Sequence, residues 1–176
     1  MKQYLEATDI ILRKAVFEDW KSMYKNIWTS EESAKYMLWK PVQSEEEAKE
    51  RMRKTIAHQA EHDAWLVYEK SSGEAIGFAG IIKIAENVYE DTGLALGKAY
   101  TGKGYGKQLL SLLISYVFEE KKAEKFVYSC RAENEVSKRL SRSLGFVYTH
   151  SEPRVDTRNG KNYICDFFVL KRETGK

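Results

Sequence analysis

Proline is nearly absent from this chain. Two residues in 176, Pro41 and Pro153, are all it has. No Pro-, Gly- or Ser-rich tract separates one part from another and no period repeats, so residues 1–176 are expected to form a single domain. Cysteine is as scarce. Cys130 and Cys165 lie in strand-like runs, which excludes a disulfide framework and reads as two buried, reduced thiols. Of three histidines, His58 and His62 are spaced i, i+4 on a polar helix, but no third ligand or paired glutamate completes a zinc motif. No apolar run approaches the roughly 18 residues of a membrane span. Met1-Lys2-Gln3-Tyr4-Leu5-Glu6 lacks the apolar block of a signal peptide, so the expected location is cytoplasmic, with no membrane partner. A formal charge of +3 argues against a nucleic-acid partner, while mildly favouring an anionic cofactor.

What is present is an ordinary globular composition, 43% apolar and 31% charged, large enough for a core without staples. Ile10-Ile11-Leu12-Arg13 reads as a strand. Trp20, Met23, Tyr24, Ile27 and Trp28 recur at helical spacing within Phe17–Trp28, and a further helical piece starts at Ser30 and is expected to end at Pro41. Ser44-Glu45-Glu46-Glu47 has the form of a capping box opening a helix to about Glu61. A hairpin pattern follows: Trp65–Glu69, the turn Ser71-Ser72-Gly73, and Ile76–Ala85. Val88–Leu96 is a strand, Lys107–Glu119 a helix, Phe126–Arg131 a strand, and Asn134–Leu144 a short helix closed by Gly145. Strands Phe146–Thr149 and Asn162–Leu170 end the chain around a turn at Arg158-Asn159-Gly160-Lys161. The order β-α-α-β-β-β-α-β-α-β-β implies an α/β (α+β) fold with one mixed, mostly antiparallel sheet and helices on both faces.

The most informative stretch is Thr101-Gly102-Lys103-Gly104-Tyr105-Gly106, between the strand ending Leu94-Ala95-Leu96 and a long apolar helix. A strand, a glycine turn and a helix leave free N–H groups at the positive end of a helix dipole, which suits phosphate or another anion. Three ligands compete. A P-loop fits through Lys103, but Gly104 stands where Ser or Thr should hold magnesium. The dinucleotide fingerprint fits Gly102 and Gly104, but its third glycine is Lys107, and the turn lies too late in the chain. The third candidate is the pyrophosphate of an acyl carrier.

Leu94-Ala95-Leu96 followed by Thr101-Gly102-Lys103-Gly104-Tyr105-Gly106-Lys107 resembles the acetyl-coenzyme A motif of the GNAT N-acetyltransferases. Asn134-Glu135-Val136-Ser137, with Leu144-Gly145-Phe146 downstream, resembles that family's second block. The opening strand, the paired early helices and Met37-Leu38-Trp39-Lys40-Pro41 are similar to its RimJ/RimL-type branch. Thr101 replaces the usual Gln or Arg at the start of the glycine motif, and Ser141 occupies the slot where many members carry a tyrosine.

The resemblance implies the GNAT-like acyl-CoA N-acyltransferase fold, acetyl-CoA as cosubstrate, and transfer of an acetyl group to a primary amine by direct attack. The acceptor could be a protein N-terminal amine, a polyamine or another small amine. Strand Val88–Leu96 would splay from Phe126–Arg131, and the pantetheine arm would pair with main chain around Leu94, Ala95 and Leu96 as an added strand does. An N–H near Leu94 would face the thioester oxygen, while Asn134 and Ser137 would contact the arm. Asp91 or Glu90 would accept the ammonium proton, with Asp91 preferred because relatives carry Glu there. Ser141 is the acid-slot candidate for the departing thiolate. Trp39 and Trp28, with Tyr36 and Met37, sit where relatives build an acceptor wall, although their spacing also suits a core. Homodimers are frequent among such relatives. The competing class is a catalytically inert coenzyme A-binding sensor module.

Overall fold

The computed structural model describes residues 2–173. Eight strands form one sheet in the order β1-β2-β3-β4-β5-β6-β8-β7. They are β1 (Tyr4–Glu6), β2 (Ile10–Arg13), β3 (Asp63–Glu69), β4 (Ala75–Ala85), β5 (Val88–Leu96), β6 (Lys125–Arg131), β7 (Val147–Val155) and β8 (Asn162–Lys171). Every pairing is antiparallel except β5 with β6. The mixed, mostly antiparallel sheet is therefore as expected, with β1 as an added edge strand. Only Leu5 of β1 is buried, so three residues carry no alternation strong enough to announce it.

Alternation along the strands divides the core in two. Leu12 and Val67 face the apolar stripe Leu109, Leu110 and Leu113 of α4 (Tyr105–Ser115). Leu66 and Tyr68, one position out of phase, face Met23 of α1 (Trp20–Met23) and Met52 of α3 (Glu45–Glu61). Period two in the strands thus places helices on both faces. The short helix α5 (Glu135–Ser143) packs beside α4, on the α4 side of the sheet.

Three local expectations change. Helix α2 (Glu31–Ala34) stops well before Pro41, leaving residues 35–43 as an irregular segment. Ser44 caps α3 by accepting the Glu47 N–H at 3.2 Å, but the Glu47 carboxylate takes the Gln43 amide at 2.8 Å, so the box closes one residue early. Strand β7 runs to Val155, past the expected Thr149, because β8 offers main-chain partners along its whole length.

Candidate active site

β5 and β6 pair in parallel over only three positions, ending at Glu90 with Val127. From Asp91 to Leu96 the edge of β5 toward β6 has no strand partner among the described residues. β6 continues instead against β8. The parting is assisted by a bulge: Ala79 faces Leu94 and Ile81 faces Asp91, so three intervals of β5 match two of β4. The extra residue reverses the alternation, and Tyr89 before it and Leu94 and Leu96 after it all pack on the α4 side. Gly93, at φ +103°, supplies the left-handed backbone that the bulge needs.

Asp91 sits at the fork. Its Oδ1 accepts the Ser129 N–H of β6 at 2.9 Å and its Oδ2 accepts the Gly93 N–H at 3.0 Å. The side chain is buried, at 6% exposure. Burial pushes its carboxyl up to about 7; the two amides act the other way and neighbouring Glu90 adds to the rise. Asp91 and Glu90 both line a cleft of about 590 Å³. Leu94, Tyr128, Asn134 and Ser137 form its α5 side, and Tyr36, Met37 and Trp39 form the opposite wall.

The glycine turn is placed as a cradle. Gly104 precedes α4 at φ +81°, ψ 1°, and Gly102 has φ +75°. A Cβ at either would meet nothing within 4 Å, so both face open space. The first bond into the helix is Gln108 N–H to the Gly104 carbonyl, which leaves the amides before it pointing outward. Gly106 lies against Leu140 of α5, so the cradle and the second block share one groove. The side chains of this turn do other work. Thr101 Oγ1 donates to the Lys98 carbonyl, Tyr105 Oη donates to Glu69, and Lys103 Nζ stands 3.7 Å from the same carboxylate. Lys107 is exposed at the groove's rim. Among the anticipated binding residues, the turn from Thr101 to Lys107, with Ala95 and Leu96, lies outside the cleft wall, whereas Leu94, Asn134 and Ser137 belong to it.

Asn134 caps α5, its Oδ1 accepting the Ser137 N–H, which leaves its amide nitrogen available. Ser141 is not brought to the cleft. It has no exposed surface, and its hydroxyl donates back to the Lys138 carbonyl at 3.0 Å, as helix serines commonly do. Cys130, half-buried, and Cys165, buried, both line the cleft; burial pushes the Cys130 thiol up to about 11. His58 of α3 and His62, just past its end, stack on each other, and no metal-binding cluster occurs among the described residues.

Two groups were missed in the sequence. Tyr128 of β6 shares a 2.6 Å hydrogen bond with Ser137, inside the cleft, and burial raises its phenol above its ordinary value. Asp156, at the β7–β8 turn, pairs with Arg131 and Arg158, and these two guanidinium groups hold its carboxyl well below the usual range. Arg158 in turn donates to the Ala34 carbonyl at 2.8 Å, which ties the hairpin to the segment carrying Met37 and Trp39. The two strand-like runs and the Asn159-Gly160 turn advertised that hairpin, but not the carboxylate at its base.

A splayed parallel strand pair beside a glycine-opened helix is an acyl-CoA architecture, and residues 9–147 match the family model described as Acetyltransferase (GNAT) domain. The chain belongs to the GNAT acetyltransferase family. It is similar to YnaD of Bacillus subtilis (strain 168), named as an uncharacterized N-acetyltransferase, at 26% identity over 77% of this chain and 78% of the relative. It is also similar to the uncharacterized N-acetyltransferase p20 of Bacillus licheniformis, at 28% identity over 93% and 94% of the two chains. Among solved structures, a GNAT-family acetyltransferase from Bacillus anthracis superposes with a TM-score of 0.80 at 20% identity, covering 96% of this chain and 98% of that one. RimL, the ribosomal L7/L12 alpha-N-protein acetyltransferase in complex with coenzyme A, does so with a TM-score of 0.79 at 19% identity, covering 96% and 97%. These GNAT neighbours share its fold. The protein is thus an N-acetyltransferase by family, and among the described residues no helix is long and apolar enough to cross a membrane.

Proposed function

We propose that this chain moves an acetyl group from acetyl-CoA to a primary amine by direct attack within the β5–β6 fork. The observation that carries this reading is the joint placement of a buried carboxyl, an unpaired strand edge and a glycine cradle along one side of the sheet. The residues present fit the cosubstrate. Outward amides of Gly102 through Lys107 suit a diphosphate. The open edge from Asp91 to Leu96 suits an amide-bearing arm, which would pair as a β-strand does, and Asn134 has a free amide nitrogen beside it. The thioester supplies an activated acyl group, and a main-chain N–H near Leu94 would stabilise the oxyanion, a contribution commonly worth about 3 kcal/mol.

Asp91 is the base of this reading, with Glu90 as the second candidate lining the same cleft. An ammonium has no lone pair, so its proton must leave before attack, and a carboxyl poised near 7 can take it directly or through water. Ser137, held by Tyr128, stands closer to the thiolate's expected path than Ser141 does, because it faces the cleft. The thiolate of coenzyme A is itself a good leaving group. A second reading, a coenzyme A-binding module without turnover, is favoured by one observation: both Asp91 oxygens already accept main-chain amides. Mixing the protein with acetyl-CoA and an amine panel separates the two. Thiol release with an acetyl mass gain on an amine is expected, and calorimetric binding without release across the panel would replace the enzyme reading by the module.

A further inference from the structure

A second pocket of about 540 Å³ lies on the α3 side of β4 and β5. It meets the first cleft at Trp39, Phe78, Thr92 and Gly93, which line both. The β5 bulge is therefore the common wall between the fork and this pocket. Trp28, Trp39 and Phe78 supply an aromatic lining, with Leu66 and Met23 below. The ionisable residues that line it are Arg51, Lys54 and His58, all basic or neutral, and none is a carboxylate. Burial lowers the His58 pKa, so its imidazole stays neutral at pH 7 and the fixed charge is that of the two cations.

Arg51 is the distinctive group. Its guanidinium lies 5.4 Å from the Trp28 ring centre and 5.1 Å from that of Trp39, held between two aromatic faces. Nη2 donates to the Lys40 carbonyl at 2.9 Å. Nη1 and the Trp39 Nε1 are both buried donors without a partner among the described residues. Two unanswered donors cost free energy unless an acceptor reaches them. The nearby carboxylates are engaged elsewhere: Glu47 accepts the Gln43 amide, and Glu50 pairs with Arg53 and, at 3.8 Å, with Lys54.

Resting on the acetyltransferase reading, we infer that this pocket receives the body of the acceptor, and that the acceptor is a primary amine carrying an aromatic or bulky apolar group and a carboxylate, as an aromatic α-amino acid does. The apolar group fills the tryptophan-lined space. The carboxylate answers Arg51 Nη1 and Trp39 Nε1, with Lys54 adding charge at the rim, and the amine is left at Gly93 facing the fork. A polyamine or aminoglycoside would bring several ammonium groups to a wall with no carboxylate and two cations.

Three probes isolate the terms: L-phenylalanine, phenethylamine (the same body without the carboxylate) and spermidine. With acetyl-CoA, kcat/KM for L-phenylalanine is expected to exceed that for phenethylamine by about tenfold or more, and spermidine to be the poorest. Arg51→Gln should bring the first two probes close to equality while leaving acetyl-CoA affinity unchanged. The exposed Lys54→Glu, which threatens no packing, should weaken L-phenylalanine about threefold or more. Binding of L-phenylalanine is followed separately through tryptophan fluorescence, since two of the four tryptophans, Trp28 and Trp39, present their rings to the pocket. Saturable quenching without turnover, lost in Arg51→Gln, would uphold the pocket and remove the transfer reading. Preference for spermidine, a selectivity indifferent to both variants, or neither quenching nor turnover with L-phenylalanine, would overturn the inference.

Discussion

Asp91 combines two roles that pull on the same carboxyl. Its Oδ1 joins β5 to β6 just past their last paired position while its Oδ2 holds the Gly93 amide of its own strand, and burial holds its pKa near 7 against an ordinary 3.8. The native state therefore binds the proton more tightly than the unfolded chain. Stability contributed by the neutral form is expected to fall as pH rises from about 4 to about 7, and to level off above that. Denaturation midpoints across that range check this, and Asp91→Asn should flatten the dependence. Activity runs the other way, because a base must be ionised: kcat/KM should climb with an apparent pKa near 7. Asp91→Asn should lower turnover by about 100-fold and remove that limb. At Gly104 the φ of +81° makes a β-branched residue strained even though a Cβ finds open space. Gly104→Val should cost about 1–2 kcal/mol of stability, read by thermal melting. It should also weaken acetyl-CoA by about tenfold or more, because the added methyls enter the cradle.

At the scale of elements, the helix termini carry the binding reading. Asn134 caps α5 through Oδ1 and turns its amide nitrogen loose beside the fork. The two functions separate by substitution. Asn134→Ala should lose about 1 kcal/mol of stability along with acetyl-CoA affinity. Asn134→Ser keeps a capping oxygen, so its melting temperature should stay near the parent's while the affinity falls as in the alanine variant. The glycine turn and the helix start at Asn134 were legible in the sequence because residue type alone dictates the backbone there: glycine for left-handed φ, asparagine for a free first turn. Ser141 misled for the opposite reason. Its place in a motif says nothing of which way a helix serine points, and packing turned it to its own backbone.

For the molecule as a whole, the acceptor side is assembled from distant segments. Asp156 holds both Arg131 and Arg158, and Arg158 reaches the carbonyls of Ala34 and Lys35. Arg158→Ala is expected to cost about 1–2 kcal/mol and to raise acceptor KM while acetyl-CoA affinity holds, measured by melting and steady-state kinetics. A uniform loss of both affinities would instead mean that the hairpin supports the entire sheet.

The sequence by itself determined the elements that follow from short-range rules: the strand–glycine turn–helix, the Ser44 cap, the helix start at Asn134, the apolar helix α4, and the mixed sheet their order demands. Only the tertiary structure decided where β5 leaves β6, because that depends on a one-residue bulge opposite β4 and on β8 claiming the far edge of β6. It alone brought Tyr128 to Ser137, and Arg51 between Trp28 and Trp39. Those pairs come from separate elements, and local periodicity cannot encode which faces will meet.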